Sequence, residues 1–179
     1  QAVQSVVKEY GGLDILVHTA ALVGSTELPG WNTPFEDQTV EAWDQAMRVN
    51  VTSAFALAQA ARPALERSGH GSIVLVASIY GMVGPDLRLY QGTEIYSPAA
   101  YSVSKAGMIQ LARYLATLFA PRVRVNALTP GGIRRNQPKT FVGRYEERTP
   151  LGRMATEEDL KGAIAYLASD LSAYVSGHN

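Results

Sequence analysis

The chain has 179 residues, enough for one domain with a sizeable core. Its 16 Lys and Arg balance its 16 Asp and Glu, so no field of one sign points to nucleic acid or an acidic membrane surface. There is no cysteine, which excludes disulfides, thiolate metal sites and cysteine nucleophiles. His18, His70 and His178 lack ligand spacing, no apolar run approaches the ~20 residues of a bilayer span, and the opening QAVQSVVKEY is polar and helix-like rather than a signal peptide. The expectation is a cytoplasmic enzyme without a metal, nucleic-acid or membrane partner.

Apolar strand-like runs alternate with helical patterns along the chain, which predicts a parallel sheet with crossover helices. An amphipathic helix opens it and stops at Gly11-Gly12. The first strand is expected over residues 13–18, followed by a Gly/Pro-rich loop over 23–34. Apolar spacing of three and four predicts one helix over 39–66, with Pro63 placed to kink its last turns. The second strand, 72–77, is continuously apolar and suits burial on both faces. A long loop over 78–98 leads to a helix at 99–119, a third strand at 122–128 and an irregular stretch. A last helix at 157–169 takes Thr156 as its N-cap. The order corresponds to half of a doubly wound α/β sheet, one domain over 1–179, with a bare strand edge.

Tyr101 and Lys105 stand i, i+4 on one helix face. A free tyrosine, with a pKa of about 10, is a poor base near neutrality, and a nearby ammonium favours its phenolate. Such a pair can move a proton on or off a substrate hydroxyl. Taken alone, the spacing also describes a half-exposed tyrosine beside a surface lysine. Ser78 directly follows a buried strand, where ligands of open α/β sheets bind, yet it also suits a plain turn. Asn50 interrupts good helix formers and competes with the backbone for hydrogen bonds. It either faces solvent or opens a kink that holds a water on a proton path to Lys105. Pro130, Gly131 and Gly132 let the chain turn sharply and approach a planar ligand, or simply turn.

Together these residues resemble the short-chain dehydrogenase/reductase family over essentially the whole chain. The resemblance implies a Rossmann-like doubly wound sheet of which this chain is the C-terminal portion. It implies Tyr101 as catalytic acid and base, Lys105 as ribose-binding and pKa-lowering partner, Ser78 as stabiliser of the substrate oxygen and Asn50 as support of a water relay. Pro130, Gly131 and Ile133 match the segment that holds a nicotinamide carboxamide. His18, Thr19, Ala20 and Ala21 match the turn that lines the adenosine side. The implied cofactor is NAD or NADP, the substrate a secondary alcohol or ketone, and the assembly a homodimer or homotetramer formed through the two long helices.

Three departures stand out against that family pattern. His18-Thr19-Ala20-Ala21 replaces Asn-Asn-Ala-Gly, Arg135 stands where many members carry threonine, and the stretch from Ser78 to Tyr101 is longer. The extra residues, about 86–97 with Tyr90 and Tyr96, are expected at the active-site rim and resemble a sugar-modifying branch. By the same resemblance, the Gly-rich phosphate turn, with roughly 60–80 residues from typical element lengths, precedes Gln1. The final strand follows Asn179, and residues 1–179 alone are expected to be inactive. A sugar-nucleotide epimerase or dehydratase, and a catalytically silent cofactor-binding protein on the same scaffold, are the alternatives.

Overall fold

The computed structural model describes residues 1–24 and 26–179. Ser25, within the loop expected over 23–34, lies outside them. Three parallel strands, β1 (Ile15–His18), β2 (Gly71–Val76) and β3 (Val123–Leu128), form a sheet in the order β1-β2-β3. Register pairs His18 with Leu75 and Val76 with Leu128, so the strands end together and deliver three loops to one edge.

The pleat sorts side chains between two layers. Ile73, Leu75, Ala77, Val125 and Ala127 face the main core with α3 (Ser53–Ser68) and α4 (Ala99–Phe119), against which α1 (Ala2–Tyr10) also contributes Val3. On the other face the Ser72 hydroxyl donates to the Leu167 carbonyl of α6 (Glu158–Ala168) at 2.9 Å. β2 is covered on both sides, which is why it reads as an unbroken apolar run.

Three expectations are corrected in detail. The helix over 39–66 is three pieces: α2 (Val40–Met47), a π-helical turn (Arg48–Thr52) and α3, which continues past Pro63 to Ser68. The stretch expected to be irregular contains α5 (Lys139–Glu147), whose Phe141 and Val142 join Leu89 and Met154 in a small core of their own. The Thr156 side chain does not cap α6 by accepting from it; its N–H and hydroxyl donate to the Asp159 carboxylate at 2.7 and 2.9 Å, half of a capping box. Of the sheet's two edges, β1's has no strand beside it among the described residues, as expected, while β3's is covered by the C-terminal tail: Gly177 N–H donates to the Val125 carbonyl (2.7 Å) and Ala127 N–H to the His178 carbonyl (2.8 Å). Asn126 fastens this tail, donating to the Val175 carbonyl and accepting from His178 N–H.

Among the described residues no helix is long and apolar enough to cross a membrane, and no three His, Asp or Glu side chains gather as a metal site.

Candidate active site

Tyr101 and Lys105 lie in the first turns of α4, whose start is fixed from two sides. The Pro98 carbonyl accepts from Tyr101 N–H at 3.1 Å, and the distant Gln38 side chain accepts from Ala99 N–H at 3.0 Å. Tyr101 packs against the cluster of Trp31, Ala42, Ala46 and Ala100. Ser78 follows β2 and caps the 3-10 turn Ile79–Gly81, its hydroxyl accepting from Tyr80 N–H at 3.2 Å. That hydroxyl also stands within hydrogen-bonding reach of the Tyr101 phenol. The turn lies directly on α4 because residue 81 is glycine: a Cβ there would stand 2.7 Å from the Lys105 carbonyl carbon and 2.8 Å from Ala106 N.

Lys105 is 3% exposed. Its ammonium donates to the Val76 carbonyl at 2.8 Å and sits 5.8 Å from the centre of the Tyr101 ring. Burial lowers the Lys105 pKa to about 8. The expected lowering of the Tyr101 pKa by Lys105 is not what this arrangement produces. Burial dominates and raises it, with the Ser78 hydrogen bond a partial offset.

A stability prediction follows from Lys105. Between about pH 8 and its ordinary 10.5 the folded protein has released a proton that the unfolded chain keeps, so rising pH in that window favours the folded state. Below about 8 both states hold the proton and the burial penalty is complete. Wild type should therefore gain stability relative to Lys105→Met as pH rises through the window, and the comparison cancels the tyrosines common to both. Urea denaturation across the window checks this; parallel pH profiles would mean that the ammonium is not desolvated.

Asn50 is fully buried in the π-helical turn. Its side-chain carbonyl accepts from Leu22 N–H at 2.7 Å, and its amide donates to the Ser104 hydroxyl at 2.8 Å. The side chain thus ties the loop after β1 to α4, meeting Ser104 rather than Lys105. His18 turns its ring inward, with Nε2 2.8 Å from the Ser53 hydroxyl. Ser53 donates its own proton to the Val49 carbonyl, so the bonding assigns the proton to Nε2 and leaves Nδ1 a buried acceptor with no partner among the described residues. Burial, and then the charge of Lys105, lower the His18 pKa. Thr19 and Ala20 are exposed and Ala21 half-buried at the edge where the strands end.

The Pro130 carbonyl accepts from Ile79 N–H at 3.1 Å, joining the ends of β3 and β2. Gly131 is exposed, and Ile133 pairs with Ala155 in an isolated bridge. Arg135 is held by Glu157 at 3.3 Å. The longer rim stretch contributes Tyr90, while Tyr96 is exposed and its N–H donates to Asn32. Three participants were invisible in the pattern. Ser104 anchors Asn50, Tyr80 stands edge-on to Tyr101 at 6.5 Å, and the Tyr145 hydroxyl accepts from Gly132 N–H at 2.5 Å. The paired glycines hinted at the last, since a Cβ on Gly132 would stand 2.8 Å from the Tyr145 ring. A hollow of about 240 Å³ beside Trp31, Trp43 and Pro98 borders the start of α4 and has no ionisable lining.

The family model described as enoyl-(acyl carrier protein) reductase matches residues 1–179. The chain is 31% identical over 181 residues to a 2,5-dichloro-2,5-cyclohexadiene-1,4-diol dehydrogenase of Sphingobium indicum, covering 98% of this chain and 66% of that protein. It is 32% identical over 179 residues to an NADP-dependent mannitol dehydrogenase of Alternaria alternata, covering 98% and 62%. The chain therefore spans just under two thirds of the length of these curated relatives. A crystal structure of a short chain dehydrogenase from Leptospira borgpetersenii with bound NAD+ superposes with a TM-score of 0.87 at 37% identity, over 99% of this chain and 66% of that one. With its parallel sheet, Rossmann-like and partial, and with a full-length family match, the chain belongs to the short-chain dehydrogenase/reductase family.

Proposed function

We propose that this chain carries the catalytic groups of an NAD(P)-dependent oxidoreductase interconverting a secondary alcohol and a ketone. The observation that carries the reading is the convergence of Ser78 and Lys105 on Tyr101 at the carboxyl edge of a parallel sheet, the place where open α/β sheets take ligands.

The residues fit a nicotinamide dinucleotide. Lys105 makes one hydrogen bond to the protein, to Val76, so two of its three N–H donors are left for ribose hydroxyls. The exposed Gly131 and its neighbours Pro130 and Ile133 would hold the carboxamide, and Thr19, Ala20 and Ala21 the adenosine side. The two cofactors named among the relatives, NADP for the mannitol enzyme and NAD+ for the Leptospira protein, support either form. A bound nicotinamide supplies the hydride acceptor in oxidation and the hydride donor in reduction. Ser78 orients the substrate oxygen, Tyr101 takes its proton or returns it, and Lys105 places a positive charge beside the phenol. Asn50 acts through Ser104 and Leu22, holding α4 and the loop after β1 in register. The relatives that act on a diol and on mannitol support a small hydroxylated substrate.

A second copy of the chain is the proposed partner. Phe55 of α3 and Val103, Tyr114 and Leu118 of α4 leave 46%, 45%, 60% and 46% of their surface exposed, an apolar outer face of the kind that subunits cover.

The test is direct. Protein expressed from its complete reading frame is mixed with NAD+ or NADP+ and a panel of secondary alcohols, and reduced nicotinamide is followed by absorbance. Turnover with at least one pair is the expected result. Tight binding of reduced cofactor with no alcohol or ketone turned over would favour a silent binding protein instead.

A further inference from the structure

The extra residues before Tyr101 and helix α5 are fastened into one cap. Arg144 donates to the carbonyls of Arg88 at 3.2 Å, of Leu89 at 3.5 Å and of Gln91. Asp86 pairs with Arg88 at 2.8 Å and with Arg148 at 3.2 Å. Beneath these ties Tyr90 meets Phe141 edge-on at 5.2 Å, and Phe141 stacks on Tyr145 at 6.0 Å.

The inner side of the cap presents phenols to Tyr101. The Tyr90 hydroxyl lies 2.9 Å from that of Tyr80, whose ring is edge-on to Tyr101. A facing pair of hydroxyls uses one O–H proton between them and keeps a second that can turn to another acceptor, with the Ser97 side chain also beside Tyr90. The Tyr145 oxygen accepts from Gly132, so its own proton is also available. Burial raises the pKa of both Tyr80 and Tyr90, keeping them neutral phenols.

The arginines around the cap are engaged, while Lys139 at the start of α5 is exposed. Arg88 and Arg148 face Asp86, Arg134 faces Glu146, Arg135 faces Glu157, and Arg144 is held by main-chain carbonyls. The guanidinium groups of this wall are thus taken up by internal partners, whereas the phenols of Tyr80 and Tyr90 stand one ring away from Tyr101.

We propose that Tyr90, with Tyr80, is a specificity-determining residue that binds a second hydroxyl of an uncharged polyhydroxylated substrate, a polyol or the matching ketose, while Tyr101 handles the reacting oxygen. The proposal rests on the oxidoreductase reading above. The extra rim residues then serve to bring Tyr90 to Tyr80, and α5 holds them there.

The test compares a hexitol, mannitol, with cyclohexanol, which has the reacting carbinol and no second hydroxyl. Wild type should oxidise mannitol with the higher kcat/KM. Tyr90→Phe should lower that value about tenfold relative to its value for cyclohexanol, mainly through KM. Mannitol should also raise the melting temperature of wild type more than that of the variant, a readout independent of turnover. Should Tyr90→Phe fold poorly, Tyr80→Phe should lower the ratio of the mannitol to the cyclohexanol kcat/KM in the same direction. Equal losses on both alcohols, or none on mannitol, would overturn the proposal, as would a wild type that oxidises cyclohexanol and ignores mannitol. A wild type that turns over no alcohol and no ketone would remove the oxidoreductase reading itself.

Discussion

Tyr101→Phe is expected to lower kcat by about 10²–10⁴-fold, the range for removing a positioned acid or base, while the Kd for reduced nicotinamide changes by less than about twofold. The substitution deletes one oxygen and keeps the ring, which packs on the cluster around Trp31 and Ala100 and stands edge-on to Tyr80. What is lost is the group in Ser78 hydrogen-bonding reach that can exchange a proton with a substrate oxygen. Direction matters as well. Burial raises the phenol pKa, so the neutral acid needed for ketone reduction is present across neutral pH. Alcohol oxidation needs the proton removed, and its rate should climb with pH well above neutrality. Stopped-flow turnover in both directions, with cofactor binding followed by nicotinamide fluorescence, checks this. Turnover retained in the phenylalanine variant, or lost together with cofactor binding, would take Tyr101 out of the proposed role.

The parts of this molecule legible in its sequence are those set by local periodicity. β2 could be read because cover on both faces demands an unbroken apolar run, and Tyr101 and Lys105 could be paired because i, i+4 side chains share a helix face. Asn50 could be picked out as a helix disturber, but not its use. Its two partners are 28 and 54 residues away, and the disturbance is a π-helical turn that keeps the helix going rather than ending it. α5 was hidden for a different reason. It buries only Phe141 and Val142, against a small core assembled from residues far apart in the chain, so its apolar stripe is too narrow to stand out.

His18 shows that a departure from a family pattern can be seen without its consequence. The replaced asparagine was visible, but the inward turn of the ring onto Ser53 depends on the π-helical turn, where the Ser53 hydroxyl is fixed by the Val49 carbonyl. Similarly, burial of Tyr101 reversed the expected sign of its pKa shift, because spacing gives neighbours and says nothing about how much water remains.

Gly81 is the position where fold and chemistry meet most closely, and Gly81→Ala is the other substitution with a large expected effect. The added methyl would stand 2.7–2.8 Å from the carbonyl of Lys105 and the nitrogen of Ala106, main-chain atoms of a helix packed on the far side by Met108, Ile109 and Ala112 in the core. No side-chain rotation can relieve such a contact, so the turn Ile79–Gly81 or α4 must move. Overpacking of this kind costs about 1–3 kcal/mol. The turn is tied to Ser78 by the bond from Tyr80 N–H and to Pro130 by the bond from Ile79 N–H. Lifting it therefore carries Ser78 away from Tyr101 and disturbs the Pro130–Gly131 loop. A shift on the order of 1 Å in a positioning group costs about 10²-fold in rate. Gly81→Ala should thus lose kcat by about that factor and lower the urea midpoint, whereas Gly84→Ala, three residues on with open space around its Cβ, should do neither. An alanine at 81 with wild-type kcat and stability would mean that the turn and α4 have slack, and that the spacing of Ser78 and Tyr101 is not held by this contact.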